Sequence, residues 1–272
     1  MIFVRPVCFL SDFGLNDDFV GTCKGVMAKV APGIQVIDLT HAIPGFAVET
    51  GAEFLQHATR YMPDDAVYLA VVDPGVGTER YGIALESGTG AFLVGPDNGL
   101  LVPAAEVLGG VRQAVRLSAS EFHVHPVSST FHGRDVFSPV AAHLARGTEF
   151  EKLGERLDPK TLKRISVPED HASGGEISAR VIDVDRFGNA RLSVRQKDSG
   201  LSYGDDLKLD AGDGYMDLDY VPTFGAAKSG ALILLPDSHW RLSVAINKGN
   251  AARALALAVG SEVKIKHTQK GE

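Results

Sequence analysis

One connection between two apolar runs carries a carboxylate at its start and a guanidinium at its end. In residues 71–85, VVDPGVGTERYGIAL, Asp73 closes the first run and Arg80 stands just ahead of the second. The proline and the glycines meet the backbone needs of a turn, because proline fixes φ and glycine supplies positive φ. A turn needs neither charge. Two interpretations therefore stay open: Asp73 caps the turn beside a solvated Arg80, or the loop folds the two side chains together for chemistry.

A histidine follows in the loop before the last helical segment of the first half. His132 lies in STFHGRDVFSP, and an imidazole can move a proton at neutral pH. The alternatives are a loop histidine that helps to cap the helix, or a metal ligand beside Asp12, His41 and Asp73. Those four residues show neither HxH nor HExxH spacing, so we predict no metal and no cofactor.

The remaining signatures of metal or acyl-transfer chemistry are weak. His123 and His125 form the one HxH pair, and their loop-like setting favours a surface pair. The sequence contains no CxxC, and no GxSxG nucleophile elbow follows a strand. These patterns favour neither a zinc hydrolase nor a serine hydrolase.

Further acidic side chains stand at the ends of the apolar runs. Asp12, Asp38 and Asp97 belong to three different strand ends, and Asp17 opens the helix after the first strand. Ligands of open α/β sheets bind at the carboxyl ends of the strands. Each acid alone is explained by a turn or by a helix N-terminus. Several of them on one rim repel each other, which predicts a compensating cation: an arginine, a metal or the substrate.

Polar breaks also interrupt the alternating runs of the second half. In DRFGN, Asp185, Phe187 and Asn189 form either a plain hairpin turn or an aromatic platform with amide groups for a flat heterocycle. Residues 237–238 and 247–250 are similar polar breaks between apolar runs. These three breaks are the candidate binding positions of the second half.

The elements that must position these groups follow from hydrophobic periodicity. The apolar runs are VRPVCFL, IQVIDLT, AVYLAVVD, YGIALES, GAFLVGP and VRQAVRL. The helical segments between them are DDFVGTCKGVMAKV, VETGAEFLQHATRYM, one from about Asn98, and DVFSPVAAHLARG. This alternation predicts an α/β domain, residues 1–165, with a largely parallel sheet flanked by helices.

The pattern changes after the polar, glycine-containing segment PEDHASGGE, which we interpret as a linker. Short alternating runs follow, namely ISARVIDVD, ARLSV, LKLD, ALILLPD, RLSVAIN and EVKIK, and only AARALALAV has a helical period. We therefore predict a smaller C-terminal β-barrel-like domain, residues 175–272, built as a barrel or as a sandwich.

Composition narrows the partners and the compartment. Among 272 residues the net charge is −7, without a long basic run, which excludes a nucleic-acid backbone as partner. Arg5 interrupts the N-terminal apolar stretch, so we do not expect a signal peptide there. No apolar run approaches the roughly 18 residues of a membrane span. Cys8 and Cys23 are too few for a disulfide framework, and we predict a cytoplasmic protein.

Seven motifs, taken in order along both halves, carry a family resemblance. They are SDFG followed by Asp17, DLTHAIP, VVDPGVGTER, GPDNGLL, FHGRDVFSP, DRFGN and INKGNAA. The chain resembles the S-adenosylmethionine (SAM) hydroxide adenosyltransferase family, SAM hydrolases related to the adenosyl-fluorinase. The resemblance implies hydrolysis of S-adenosyl-L-methionine to adenosine and L-methionine, by water or hydroxide attack at the ribose C5′ carbon. It also implies a homotrimer with sites at the subunit interfaces.

The same resemblance implies roles for individual residues. Asp73, Arg80 and His132 match a catalytic triad that organises the attacking water, and either Asp73 or His132 accepts the proton. Arg80 stays protonated at ordinary pH, so it is not the base. The substrate-binding matches are Asp12 for ribose, Asp17 for the methionine amino group, Phe46 and Phe131 for the ribose pocket, Asp185 and Ser238 for methionine, and Phe187, Asn189 and Ile246 for adenine.

Departures from the fluorinase bear on the reaction. Where the fluorinase has tyrosine and threonine near the reacting carbon, this chain has Asp73 and Val76, and it lacks the fluorinase's loop insertion. A carboxylate repels fluoride and favours a polarised water, which argues against halogenation. Three alternatives remain: a halide-dependent adenosyl transferase, a non-catalytic binder of adenosine or SAM, and a metal-dependent hydrolase.

Overall fold

The computed structural model describes residues 4–165, 171–173 and 176–268. Internal contacts divide the chain into two compact units, Met1–Ser166 and Val167–Glu272, which are described separately. Of the predicted linker PEDHASGGE, residues 168–176, five residues lie outside the described part of the chain. The other four belong to strands, His171–Ser173 to one and Glu176 to the start of the next, so the linker prediction is wrong for them. Within the described part of the chain, no helix combines the length and the apolar character needed to cross a bilayer.

A seven-stranded sheet forms the centre of the N-terminal unit. Its strands are β1 (Val7–Ser11), β2 (Val36–Thr40), β3 (Val67–Val71), β4 (Gly82–Ser87), β5 (Phe92–Pro96), β6 (Val111–Arg116) and β7 (Glu155–Leu157). They lie in the order β2-β1-β3-β5-β4-β6-β7. Strands β2, β1, β3 and β5 pair in parallel. Strands β4, β6 and β7 extend the sheet beyond β5 through antiparallel pairs. The predicted α/β class is confirmed, and the antiparallel edge follows from the short hairpin connection 88–91 between β4 and β5.

Helices cover both faces of this sheet, as predicted. The helices α1 (Phe19–Val30) and α4 (Ser138–Ala145) pack on one face, and α2 (Val48–Ala58) and α3 (Val102–Val107) pack on the other. Strand β1 is buried along its whole length, because alternate side chains enter the two cores. A strand buried on both faces is continuously apolar, so the polar groups of this unit are left to strand ends and loops.

Two helix starts differ from the sequence-based expectation. The helix expected from about Asn98 begins at Val102, because the Asn98 side chain instead forms a turn: its Nδ2 donates to the Val72 carbonyl over 2.8 Å and its Oδ1 accepts from the Leu100 N–H over 3.2 Å. The last helix of the unit is preceded by one π-helical turn, Gly133–Phe137, directly after His132. That turn positions the preceding loop, which contains His132.

The C-terminal unit is a closed barrel, which confirms the first of the two predicted architectures. Its strands are β8 (His171–Ser173), β9 (Glu176–Val184), β10 (Ala190–Arg195), β11 (Asp206–Asp210), β12 (Tyr215–Tyr220), β13 (Leu232–Pro236), β14 (Arg241–Ile246) and β15 (Glu262–His267). The long strand β9 pairs with β15 through residues 176–180 and with β10 through residues 181–184. These two pairings close seven strands into a barrel, and β8 pairs with β9 outside the ring.

Two elements of this unit differ from the predicted pattern. The helix expected over AARALALAV covers only α5 (Ala251–Ala254), and Ala256 already has a left-handed φ of 51°. Strand β12, YMDLDY, is absent from the predicted runs; Asp217 and Asp219 stand in it, yet Leu218 and Tyr220 alternate into the barrel core. Period-two burial, rather than composition, makes this segment a strand.

Candidate active site

Asp73, Arg80 and His132 lie together beyond the carboxyl end of β3. The Arg80 Nε donates to Asp73 Oδ1 over 2.9 Å and to Oδ2 over 3.1 Å, and Nη2 also donates to Oδ2. The same Nη2 donates to His132 Nδ1 over 2.8 Å. The side chain of Arg80 is 12% exposed and that of Asp73 is 6% exposed. Arg80 is therefore not a solvated loop residue, and the loop does bring the two charges together.

The loop from Asp73 to Arg80 turns through its glycines. Thr78 N–H and Oγ1 both donate to the Gly75 carbonyl, over 3.1 and 2.7 Å. Gly77 has a φ of +76°, and a Cβ added there would lie 2.3 Å from the carbonyl oxygen of Ser129. Because Ser129 stands in the loop that leads to His132, this close approach joins the two loops of the triad. Glycine at 77 is required for that approach.

A buried carboxylate holds the loop that precedes His132. Asp135 is fully buried, and its carboxylate accepts from Arg134 Nε over 2.7 Å, from Arg134 Nη2 over 2.9 Å and from the Ser128 N–H over 2.8 Å. Burial raises the pKa of Asp135, but the Arg134 and Ser128 hydrogen bonds outweigh it and hold that pKa below its usual value. The ionised Asp135 thus fastens the chain on both sides of His132.

The charges around His132 favour its neutral form. Burial lowers the pKa of His132 below its usual 6.5, and the Arg80 guanidinium lowers it further, while Asp73 and Asp135 act in the opposite direction. His123 also faces this group, and its own pKa is lowered by burial and by its histidine neighbours. At neutral pH the triad therefore holds a carboxylate, a guanidinium and an uncharged imidazole.

The contact between Arg80 and His132 determines which ring nitrogen carries the proton. A guanidinium has donors only, so Nδ1 of His132 must be the acceptor of the 2.8 Å hydrogen bond. The single proton of the neutral ring then sits on Nε2. His132 consequently presents an N–H donor, rather than a free lone pair, on its other side.

Asp12 and Phe46 are brought together from two different strand ends. The Phe46 N–H donates to Asp12 Oδ2 over 2.9 Å. Phe46 has a left-handed φ of 68° and its side chain is 73% exposed. An exposed ring held by strained backbone next to a carboxylate can contact a ligand that has both a flat apolar face and hydroxyl groups.

Phe131 joins an aromatic cluster, whereas Asp17 stands apart from it. The Phe131 ring meets the edges of Phe13 and Phe19 at centroid distances of 5.6 and 5.0 Å, and Arg134 Cζ lies 5.1 Å from its centroid. Asp17 is exposed in the segment just before α1. Like the triad, all of these residues belong to the N-terminal unit.

In the C-terminal unit, DRFGN forms a tight turn between β9 and β10. Asp185 Oδ1 accepts from the backbone N–H groups of Phe187 and Asn189 over 2.8 and 3.0 Å, and Oδ2 accepts from Asn189 Nδ2 over 2.8 Å. The Phe187 side chain is 61% exposed. A Cβ on Gly188 would lie 2.1 Å from the Asn250 side chain, so DRFGN and INKGNAA meet in space. The two interpretations of DRFGN are therefore compatible, because the segment is a hairpin turn and also exposes an aromatic ring.

Ser238 and Ile246 flank strand β14. Ser238 is exposed in the turn before it, and that turn is held by Asp237, whose carboxylate accepts from Arg191 Nε. Arg191 Nη1 also donates to Asp183 over 3.0 Å, although burial still raises the pKa of Asp183. Ile246 ends the strand, half-buried against the barrel core.

Three features of the site were not foreseen from the sequence. They are the buried Asp135, the required glycine at 77, and the role of His41, which was weighed as a metal ligand. Both ring nitrogens of His41 are occupied, Nδ1 by Ser11 Oγ at 2.7 Å and Nε2 by Asp38 Oδ1 at 3.1 Å. Across residues 4–165, 171–173 and 176–268, no three His, Cys, Asp or Glu side chains are arranged to hold a metal ion. The motifs FHGRDVFSP, VVDPGVGTER and DLTHAIP contained the sequence signals for Asp135, Gly77 and His41.

Comparison with known proteins covers both units. Residues 7–154 match the sequence profile of the SAM hydroxide adenosyltransferase N-terminal domain, and residues 179–264 match that of the C-terminal domain. The (R)-S-adenosyl-L-methionine hydrolase of Salinispora tropica is 44% identical over 259 residues, which cover 95% of this chain and 97% of the relative. A fluorinase of Actinoplanes is 28% identical, with coverage of 95% and 96%. The crystal structure of an uncharacterized conserved protein from Thermotoga maritima matches with a TM-score of 0.89 at 32% identity, covering 96% of this chain and 99% of that one.

Proposed function

Because the chain belongs to the SAM hydroxide adenosyltransferase family, we propose that it hydrolyses S-adenosyl-L-methionine to adenosine and L-methionine. The observation that carries the proposal is the triad, in which the Arg80 guanidinium joins the Asp73 carboxylate to the His132 imidazole. The name of the Salinispora tropica relative, an (R)-S-adenosyl-L-methionine hydrolase, supports the same reaction.

The reaction is a single displacement at the ribose C5′ carbon. The oxygen of water or hydroxide forms a bond to C5′ while the C5′–S bond breaks. The electron pair of that bond passes to sulfur and neutralises the sulfonium, so methionine leaves as a neutral thioether. Starting from water, one proton is released for each substrate consumed. Proton removal contributes roughly 10²–10⁴-fold, and holding the oxygen in line with the C–S bond contributes a further orientation effect.

In this proposal the triad binds a water, Asp73 accepts its proton, and Arg80 and His132 stabilise the hydroxide that results. His132 donates from Nε2, because Arg80 occupies its Nδ1, and the remaining N–H groups of Arg80 add positive charge beside the attacking oxygen. Asp73 Oδ1 accepts from Arg80 Nε and keeps a lone pair for a proton of the water. Of the two candidate proton acceptors, we therefore favour Asp73 over His132.

The substrate-binding residues are proposed from the family resemblance and supported by the local geometry of each unit. In the N-terminal unit, Asp12 and Phe46 bind the ribose, Phe131 adds an aromatic wall, and Asp17 binds the methionine amino group. In the C-terminal unit, Asp185 and Ser238 bind the methionine portion, and Phe187, Asn189 and Ile246 bind adenine. The exposed Phe187 ring favours stacking on a flat base.

Assembly and compartment are part of the same proposal. We propose a homotrimer with sites at the subunit interfaces, which light scattering of the purified protein tests directly. We also propose a cytoplasmic location. Cys8 and Cys23 are both free and buried, and burial raises the pKa of the Cys8 thiol to about 12 and that of Cys23 to about 11. A buried thiol with a raised pKa is rarely ionised and therefore reacts slowly with oxidants.

Chromatography of the reaction products tests the proposed function. Purified protein is incubated separately with the (R) and (S) sulfonium epimers of SAM, each with and without chelator and with and without chloride or fluoride. We expect adenosine and methionine in equal amounts, unchanged by chelator or halide, from at least one epimer. The (R) epimer is included because the relative's name specifies it.

Each alternative gives a different chromatogram. A halide-dependent adenosyl transferase yields 5′-halo-adenosine when halide is added, and a metal-dependent hydrolase loses its products in chelator. A non-catalytic binder returns both epimers intact. Any of these three results overturns the proposed hydrolysis without metal or halide.

A further inference from the structure

We propose that His41 is a positioning residue that holds Asp12 and Phe46 in place as one ribose-binding subsite, an inference that rests on the proposed function. His41 is 5% exposed and belongs to neither the triad nor the proposed substrate contacts. It lies just after β2, and its two ring nitrogens and its carbonyl contact Ser11, Asp38 of β2 and Gly14.

A chain of hydrogen bonds runs through the His41 ring. Lys24 Nζ donates to Asp38 Oδ2 over 2.5 Å. Burial raises the pKa of Asp38, but the hydrogen bonds from Lys24 and His41 outweigh it, so Asp38 is an ionised acceptor. His41 Nε2 is then the donor of the 3.1 Å contact to Asp38 Oδ1.

The chain continues from the ring to the end of β1. Ser11 Oγ and His41 Nδ1 form a hydrogen bond of 2.7 Å. The serine oxygen in turn accepts from the Phe13 N–H over 3.4 Å. Ser11 is fully buried and immediately precedes Asp12 in the chain. Through Ser11 Oγ, the His41 ring is connected to the residues on both sides of Asp12.

Backbone contacts fasten the same two segments. The Gly14 N–H donates to the His41 carbonyl over 2.7 Å, and the Phe46 N–H donates to Asp12 Oδ2 over 2.9 Å. The His41 ring also packs on the edge of Phe9 in the core, at 4.6 Å between centroids. The residues from Ser11 to Gly14 and the loop from His41 to Phe46 are thus connected at three points, and His41 provides two of them.

A positioning role predicts a change in ligand affinity with little change in the chemical step. Loss of the Ser11–His41 contact leaves buried polar groups unpaired and releases Asp12, so affinity falls by about tenfold. Asp12 and Phe46 are not placed at the nucleophile, so kcat should stay within about twofold. A residue needed only for folding would instead lower the melting temperature and leave both constants of the folded fraction unchanged.

The experiment compares four variants of the full chain. His41→Ala removes the ring, Ser11→Ala removes one hydroxyl with little risk to folding, and His41→Asn keeps an amide near the position of Nδ1. Ser87→Ala is the matched control, because Ser87 is equally buried in β4 and its Oγ forms hydrogen bonds with Thr89 Oγ1 and the Ala91 carbonyl. Adenosine binding is measured by calorimetry, KM and kcat by SAM turnover, and folding by thermal melting.

We expect weaker adenosine binding and a raised KM in His41→Ala and Ser11→Ala, partial recovery in His41→Asn, and wild-type values in Ser87→Ala. Wild-type adenosine affinity in both alanine variants overturns the inference, as does an equal loss in Ser87→Ala. If wild-type protein binds adenosine but does not turn over SAM, the proposed hydrolysis fails while the calorimetric comparison still decides the role of His41. Absence of adenosine binding in the wild type overturns both.

Discussion

Arg80 Nη2 donates to Nδ1 of His132 across 2.8 Å, which places the proton of the neutral imidazole on Nε2. The guanidinium thus does two things at once: it neutralises Asp73 and it determines the tautomer of His132. An imidazole in this state is a donor to an anionic oxygen. The arrangement fits a site that binds hydroxide better than one that uses histidine as the base.

Removal of either partner of Arg80 should abolish turnover and preserve binding. We expect His132→Ala and Asp73→Ala to lower kcat by about 10²-fold or more, because each removes a group that orients the attacking oxygen. Adenosine affinity should stay close to wild type. His125→Ala, at an exposed histidine of the same loop, serves as the control. Stopped-time chromatography measures kcat; wild-type turnover in either triad variant would contradict the triad assignment.

Activity should fall on the acid side as His132 becomes protonated. A proton on Nδ1 would face the Arg80 N–H and place two cations together. Since burial and Arg80 lower the pKa of His132 from 6.5, we expect kcat/KM to stay level near neutrality and to fall only below about pH 6.5. A pH profile of kcat/KM measures this decrease on the acid side, which we call the acid limb. A midpoint above 6.5 would contradict the geometry around His132.

Protonation should lower stability over the same range of pH. His123, His132 and His143 all have pKa values lowered by burial, so the unfolded chain, with histidines near 6.5, binds more protons than the folded one. The free energy of unfolding therefore decreases as pH falls through 6.5 toward the folded-state pKa values. Denaturant unfolding between pH 7.5 and about pH 5 tests this sign. Constant stability across that interval would show that these histidines titrate normally in the fold.

Gly77→Ala should impair the chemical step through the contact with Ser129. The added Cβ would meet the Ser129 carbonyl oxygen at 2.3 Å, so the loop from Asp73 to Arg80 must move away. A displacement of about 1 Å costs roughly 10²-fold in rate. Gly90→Ala is the matched control, because Gly90 has a similar φ of +86° with nothing within 4 Å of its added Cβ. Equal kcat in the two variants would mean that backbone strain, not loop contact, explains any loss.

Asp135→Asn should shift the pH profile as well as weaken the fold. The carboxylate raises the pKa of His132, so its neutralisation moves the acid limb of kcat/KM to lower pH. The lost charge-assisted bonds to Arg134 and Ser128 should destabilise the protein by about 1–3 kcal/mol. Asp158→Asn, at an exposed carboxylate that accepts from the Lys160 N–H in its own turn, is the control. An acid limb of kcat/KM that moves to higher pH would contradict the electrostatic effect of Asp135 on His132.

Hydrophobic pattern and motif order were enough to predict the sheet with its helices, a second unit built as a barrel or a sandwich, and the candidate residues of the site. The continuous apolar run of β3 predicted a strand buried on both faces, because such a strand has no solvent side to mark with polar residues. The spacing of Asp73 and Arg80 around a glycine loop left two interpretations open, a capped turn beside a solvated arginine or a contact between the two side chains. These features are local in the chain, so the sequence alone determines them.

Tertiary structure decided what depends on contacts distant in sequence. The tautomer of His132 depends on Arg80, which lies 52 residues away, and the need for glycine at 77 depends on Ser129. His41 becomes a hydrogen-bonding centre only when β1 and β2 lie side by side. Barrel closure likewise requires β9 to bend between two partners. Side-chain pattern carries no information about such pairings, because it records which face is buried and not which group it meets.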